Sequence, residues 1–206
     1  MRLWVLVGVI AAALIGATAG FTAMNAMRPA ATSAAHGVTV PNIGGPFELV
    51  DHSGATRTEA DFAGQPMLIY FGYTFCPDIC PTEVAKMVRA VDLLGEDGEA
   101  VQPLFITVDP DRDTPEHLAG YVDLFHPRLV GLTGDEEAIA EVAHAYKVFY
   151  AKVESEEFTE YLVDHSSFFY LMDAAGENVA VFPMSSTPED IAEGVRVHLS
   201  NTGAIS

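Results

Sequence analysis

The only two cysteines of this 206-residue chain, Cys76 and Cys80, sit in one short word, Y-F-G-Y-T-F-C-P-D-I-C-P-T, residues 70–82. An apolar run from Met67 to Phe71 leads into the pair, and a helical pattern leads out of it. Two thiols placed where a buried strand turns into a helix make either a redox pair or most of a soft-metal site. The three residues between them, Pro77, Asp78 and Ile79, suit two thiolates gripping one ion at least as well as a fast-shuttling disulfide. Thiolate ligands select copper(I) or zinc over magnesium or calcium. Two sulfurs do not complete such a site, so a third ligand is expected. A purely structural disulfide is disfavoured: so short a loop constrains the unfolded chain little. Residues four apart on a regular helix also hold their Cβ atoms about 5–6 Å apart, against about 3.8 Å for a disulfide.

Two further words carry candidate chemistry. Val163-Asp164-His165-Ser166-Ser167 places one of seven histidines just before a strand pattern. His117, His126, His144 and His198 fall on or beside helical patterns and are expected to face solvent, His36 lies in a tether, and His165 is expected in a loop at the active edge. Val108-Asp109-Pro110-Asp111-Arg112-Asp113-Thr114-Pro115 has the alternating aspartates of a calcium loop, but Thr114 and Gly120 stand where that loop needs glycine and glutamate. Asp111 and Asp113 read as turn and helix cap, whereas Asp109 ends a strand parallel to the cysteine strand and can reach the same edge behind a metal ligand. Phosphate-binding, nucleophile-elbow and zinc-protease motifs are absent from the sequence.

The elements that must position these residues follow from patterning. Strands are expected over Phe47–Asp51, Met67–Tyr73, Leu104–Val108 and Leu129–Leu132, with a hairpin of Phe168–Met172 and Val179–Phe182. Helices are expected after Pro81 to Gly95, from Asp113 with Glu116 to about Phe125, over Asp135–Tyr146, and from Thr187 to about Leu199. Cys80 lies four residues before Val84 and so faces inward. Alternating strands and helices closed by a hairpin and a helix predict an α/β fold, a mixed central sheet flanked by helices, in the order of a thioredoxin-like domain with an insertion.

The chain carries a formal charge of −19 and is half apolar. From residue 29 onward, 8 basic residues face 29 acidic ones, a surface that repels nucleic acid and anionic lipid. Leu3 to Met27 has no charged residue, with Arg2 before it and Arg28 after it. That length spans a bilayer as a helix, so residues 1–27 are expected to form a membrane anchor. A cleaved signal peptide is the rival reading, because Ala17-Thr18-Ala19 fits a small-x-small site. Residues 28–45 read as a flexible tether, 46–200 as one domain and 201–206 as a tail. The expected location is the bacterial cytoplasmic (inner) membrane, single-pass, with the domain facing the periplasm or outside.

Taken in order, G-G-P-F-E-L-V-D (44–51), Y-F-G-Y-T-F-C-P-D-I-C-P (70–81), V-D-P-D-R-D-T-P (108–115) and D-H-S-S-F-F-Y-L-M-D (164–173) resemble the Sco/SenC family. The resemblance covers about residues 42–200 and includes the single N-terminal anchor. It implies a thioredoxin-like fold that binds one copper ion, Cu(I) or Cu(II), through Cys76, Cys80 and His165, with Asp109 near the metal. It further implies a copper metallochaperone that receives copper from a donor and serves the dinuclear centre of cytochrome c oxidase subunit II or its assembly factors. The alternative is a thiol–disulfide oxidoreductase in which Cys76 and Cys80 reduce the acceptor cysteines of that subunit.

Overall fold

The structure is a computed structural model that describes residues 38–40, 42–154 and 160–203. The expected anchor, most of the tether and the end of the tail lie outside the described residues. Among the described residues no helix is long and apolar enough to cross a membrane.

The chain runs β1 (Glu48–Asp51), β2 (Thr56–Thr58), a 3-10 helix (Glu59–Phe62), β3 (Met67–Gly72), α1 (Ile79–Leu93), a second 3-10 helix (Gly95–Ala100) and β4 (Gln102–Thr107). It continues through α2 (Pro115–Val122), β5 (Val130–Thr133), α3 (Glu136–Ala145), β6 (Tyr150–Val153), β7 (Leu162–His165), β8 (Phe168–Met172), β9 (Asn178–Pro183) and α4 (Pro188–Thr202). Seven strands form one sheet in the order β2-β1-β5-β4-β3-β8-β9, and β6 and β7 pair separately. β3, β4 and β5 are mutually parallel, and β8 runs antiparallel to β3. The mixed α/β class expected from the sequence is the one observed.

The core follows from strand periodicity. All six residues of β3 are buried, as a strand covered on both faces requires. On one face Tyr70 packs against Phe105 of β4 and Phe169 of β8, at ring separations of 6.4 and 5.3 Å. Tyr121 of α2 lies 5.3 Å from Phe105 on that side. On the other face Phe71 meets Tyr146, at the end of α3, and Tyr170 of β8, at 5.3 and 5.7 Å. Alternate residues of one strand thus reach helices on opposite sides of the sheet.

Element ends follow local chemistry. Asp135 and Thr187 cap α3 and α4 by accepting from Ala138 and Asp190 N–H groups. The helix expected to open at Asp113 is shorter, Pro115–Val122, and its cap is Thr114. Asp113 is diverted because its carboxylate serves the strand ends instead. It accepts from Thr74 N–H at 3.1 Å and from the Thr74 and Thr107 hydroxyls at 2.5 Å each.

Gly72, the last residue of β3, is where the sheet makes room for a thiol. A Cβ there would lie 2.9 Å from Tyr70 Cε1, 3.0 Å from Phe105 Cε2 and 3.2 Å from Cys80 Sγ. Gly72→Ala should therefore destabilise the protein by about 1–3 kcal/mol through overpacking. Chemical denaturation would reveal this as a lower midpoint with an unchanged slope.

Candidate functional site

β3 ends at Gly72, and the chain turns through Tyr73–Asp78 before α1 begins at Ile79. Cys76 lies in that turn and Cys80 at the second position of the helix, so the segment between them is not regular helix, the condition under which the two could also bridge. Asp78, the residue before α1, makes no side-chain cap. The Cys76 sulfur takes that place, accepting from Cys80 N–H at 3.3 Å. A helix N-terminus leaves N–H groups unpaired and carries a positive partial charge, which is where a thiolate is best accommodated.

The two thiols are electrostatically unlike. Cys76 is brought down to about 5, first by the hydrogen bond from the Cys80 thiol, against the opposing effect of burial, and further by the N–H groups of Cys80, Asp78 and Ile79. Cys80 is pushed up by that same pairing and by burial. Cys80 is fully buried, whereas Cys76 is partly exposed. Near neutral pH the pair therefore holds one negative charge on the outer sulfur and one proton on the inner one.

His165 ends β7 and reaches the same place, its Nε2 3.3 Å from Cys80 Sγ. Its Nδ1 lies 3.1 Å from the Ser166 carbonyl oxygen. A carbonyl only accepts, so Nδ1 carries the hydrogen and the Nε2 lone pair faces the sulfur. Burial pushes the imidazole down, which keeps it neutral at pH 7. The rings of Tyr70 and Tyr73 flank it edge-on, at 6.2 and 5.9 Å. A pocket of about 280 Å³ opens between the Cys76–Ile79 turn and the Leu162–Ser167 segment. A larger one of about 400 Å³ lies at the opposite end of β3, beside Met67, and its lining includes neither cysteine nor His165.

The residues expected from the sequence are thus brought to one edge. Cys80 and His165 are in contact and Cys76 adjoins Cys80, yet among the described residues no three His, Cys, Asp or Glu side chains converge into a preformed metal cage. Asp109 is fully buried and points its carboxylate at Arg112 Nε (2.5 Å) and the Tyr161 hydroxyl (2.7 Å). Two corrections concern histidines. His165 ends a strand rather than lying in a loop, and His126 is half-buried rather than facing solvent, its Nδ1 accepting from Arg128 N–H at 3.1 Å. His117 is exposed as expected, with its ring stacked on Phe75 at 4.9 Å. Sequence reading missed Arg112 and Tyr161 here. Only their proximity to Asp109 and His165 in the chain could have signalled them.

A buried strand delivering an outer, acidic thiol and an inner, protonated one to the start of a helix defines a thioredoxin-like dithiol domain, here with an imidazole closing over the inner sulfur. The chain belongs to the SCO1/SenC family, whose profile matches residues 36–200. It is 46% identical over 158 residues to Protein sco1 of Schizosaccharomyces pombe, a match covering 75% of this chain and 60% of that one. The match therefore spans less than two thirds of that relative's length. Among solved structures, Arabidopsis thaliana ScoI with copper bound superposes with a TM-score of 0.74 at 42% identity, covering 77% of this chain and 99% of that chain. Bradyrhizobium japonicum ScoI with copper bound gives 0.70 at 41% identity, covering 76% and 99%.

The thiol asymmetry is directly testable. Iodoacetamide should alkylate Cys76 with a rate that rises through about pH 5 and is flat to pH 8, because the thiolate is the nucleophile. In Cys80→Ala, which removes the largest cause of the shift, the rise should move up toward the ordinary cysteine value of about 8.5. An unmoved profile would show that the helix terminus alone holds the thiolate.

Proposed function

We propose that this protein is a copper metallochaperone that carries one copper ion as cargo on Cys76, Cys80 and His165. Asp109 stands behind the ligands and organises the turn around them. The observation that carries this reading is the aim of His165 Nε2 at Cys80 Sγ, 3.3 Å away, with the other ring nitrogen committed to a backbone carbonyl. Two sulfurs and one imidazole form a donor set that suits copper(I), and the cited plant and bacterial relatives are structures with copper bound.

The chain's own residues divide the work. Cys76, at the pocket edge, is the ligand that meets an incoming donor or acceptor group. Cys80 and His165 form the inner part, and the Ser166 carbonyl fixes the imidazole tautomer. An incomplete, edge-exposed ligand set leaves room for an acceptor's own ligand, which release requires. The acceptor in this reading is the dinuclear copper centre of cytochrome c oxidase subunit II, reached by a domain tethered through residues 1–45 to the outer face of a bacterial inner membrane.

A second reading has its own support. The low-titrating, partly exposed Cys76 beside a protonated Cys80 is the pattern of a nucleophilic and a resolving thiol. Cys76 thiolate attacks a disulfide of the acceptor, releasing one acceptor thiolate. Cys80 then displaces the other, leaving a Cys76–Cys80 disulfide here and a dithiol on the acceptor.

The test is metal analysis of the full chain reconstituted with copper under reducing conditions. One copper per chain is expected, lost in Cys76→Ala, Cys80→Ala and His165→Ala. Dithiol exchange should survive in His165→Ala, and unchanged copper affinity in that variant would sink the three-ligand reading. Binding replaces the Cys80 proton, so affinity should fall as pH falls, roughly tenfold per unit for one released proton. The slope should steepen below about pH 5, where Cys76 also takes up a proton.

A further inference from the structure

Among the described residues Arg112 makes no hydrogen bond to either cysteine or to His165, yet it joins the segments that carry them. Its side chain is only 13% exposed and its Nε donates to the fully buried Asp109 at 2.5 Å. Its Nη1 donates to the Tyr161 carbonyl at 3.0 Å. The Tyr161 hydroxyl returns to the other oxygen of Asp109 at 2.7 Å, closing a ring of three residues. The guanidinium carbon also lies over three aromatic rings, 3.8 Å from the centre of Tyr161, 4.8 Å from Phe75 and 5.8 Å from Tyr73.

The positions of those partners give the arrangement its meaning. Phe75 directly precedes Cys76, and its ring is also stacked with that of His117 at 4.9 Å. Tyr161 directly precedes β7, the strand that ends at His165. Asp109 belongs to the turn after β4. One cation therefore grips the thiol turn through aromatic rings and the histidine strand through a carbonyl, using a buried carboxylate as the fixed point. Only a guanidinium can do both, because it pairs a fork of donors with a flat face.

We propose that Arg112 is the positioning residue that sets the separation between the cysteine turn and His165, acting through Phe75 on one side and Tyr161 on the other. The proposal rests on the copper reading only in the second arm of its test. It differs from a general stabilising role, because it predicts that loss of Arg112 is felt at His165 rather than throughout the fold.

The test uses the full-length chain with Arg112→Lys and Arg112→Met. Lysine keeps a charge for Asp109 but loses the fork and the flat face, so it stays informative should the methionine variant fail to fold. In the metal-free protein, the Tyr70 and Tyr73 rings, edge-on to His165 at 6.2 and 5.9 Å, should shift its ring protons away from random-coil values. In Arg112→Lys those shifts should move toward random-coil values while amide shifts in α4 stay fixed, and wild-type His165 shifts in this variant would overturn the proposal. In the second arm, Arg112→Lys should weaken copper about 10–100-fold, the usual effect of losing an outer partner of a ligand. Adding Arg112→Lys to His165→Ala should cost nothing beyond the loss already seen in His165→Ala, measured on the residual affinity of the two thiols, because the ligand that Arg112 positions is then already gone. Full additivity of the two losses would also overturn the proposal. Should the wild type hold no copper, the copper reading falls and the proton shifts still decide the role of Arg112.

Discussion

The parallel pairing of β3 with β4 is the constraint on which the site depends. Their register aligns Gly72 with Thr107, and Val108 N–H donates to the Gly72 carbonyl at 2.8 Å one step beyond. Both strands thus release the chain at the same edge and level, one into the thiol turn and the other into the aspartate turn. Asp113 fastens the two exits together by accepting from Thr74 of the first and Thr107 of the second. Burial pushes that carboxyl up, and the three donors work in the opposite direction. A slip of this pair would take the cysteine turn away from Arg112 and from Asp109 at once.

On that base the helix start supplies what the thiols need. α1 has no side-chain cap, so the sulfur of Cys76 substitutes for one, while the missing side chain of Gly72 lets Cys80 lie against the sheet. The same few ångströms of backbone decide which thiol is charged and which is buried. No distant ion pair is required for the asymmetry. The strongly acidic surface contributes little to it, because solvent screens exposed charges beyond about a Debye length.

Much of this was legible in the sequence, for physical reasons that also explain the gaps. β3 stood out because a strand buried on both faces is a continuous apolar run, and the β8–β9 hairpin because Asp173-Ala174-Ala175-Gly176 marks its turn. The dithiol at the strand–helix junction followed from those. The β6–β7 pair did not appear, since four-residue strands at half exposure carry almost no periodic signal, and so His165 was read as lying in a loop. Asp113 was read as a helix opener because local patterns cannot foresee a carboxylate claimed by a threonine 39 residues away. Arg112 carried one local sign, Asp109 three residues before it, but its other partners Phe75 and Tyr161 are distant in the chain.

The thiols and the imidazole sit on different elements, Cys80 at the start of α1 beyond the end of the large sheet and His165 on the small β6–β7 pair, 85 residues apart in sequence. An ion gripped by both is a removable cross-link that closes a long loop, and closure of such a loop draws on chain entropy. On the proposed ligand set, loading would stiffen the β6–β7 ribbon and unloading would slacken it, with no need for a change in mean shape. A partner docking over the ribbon would then be able to tell a full carrier from an empty one by its rigidity alone.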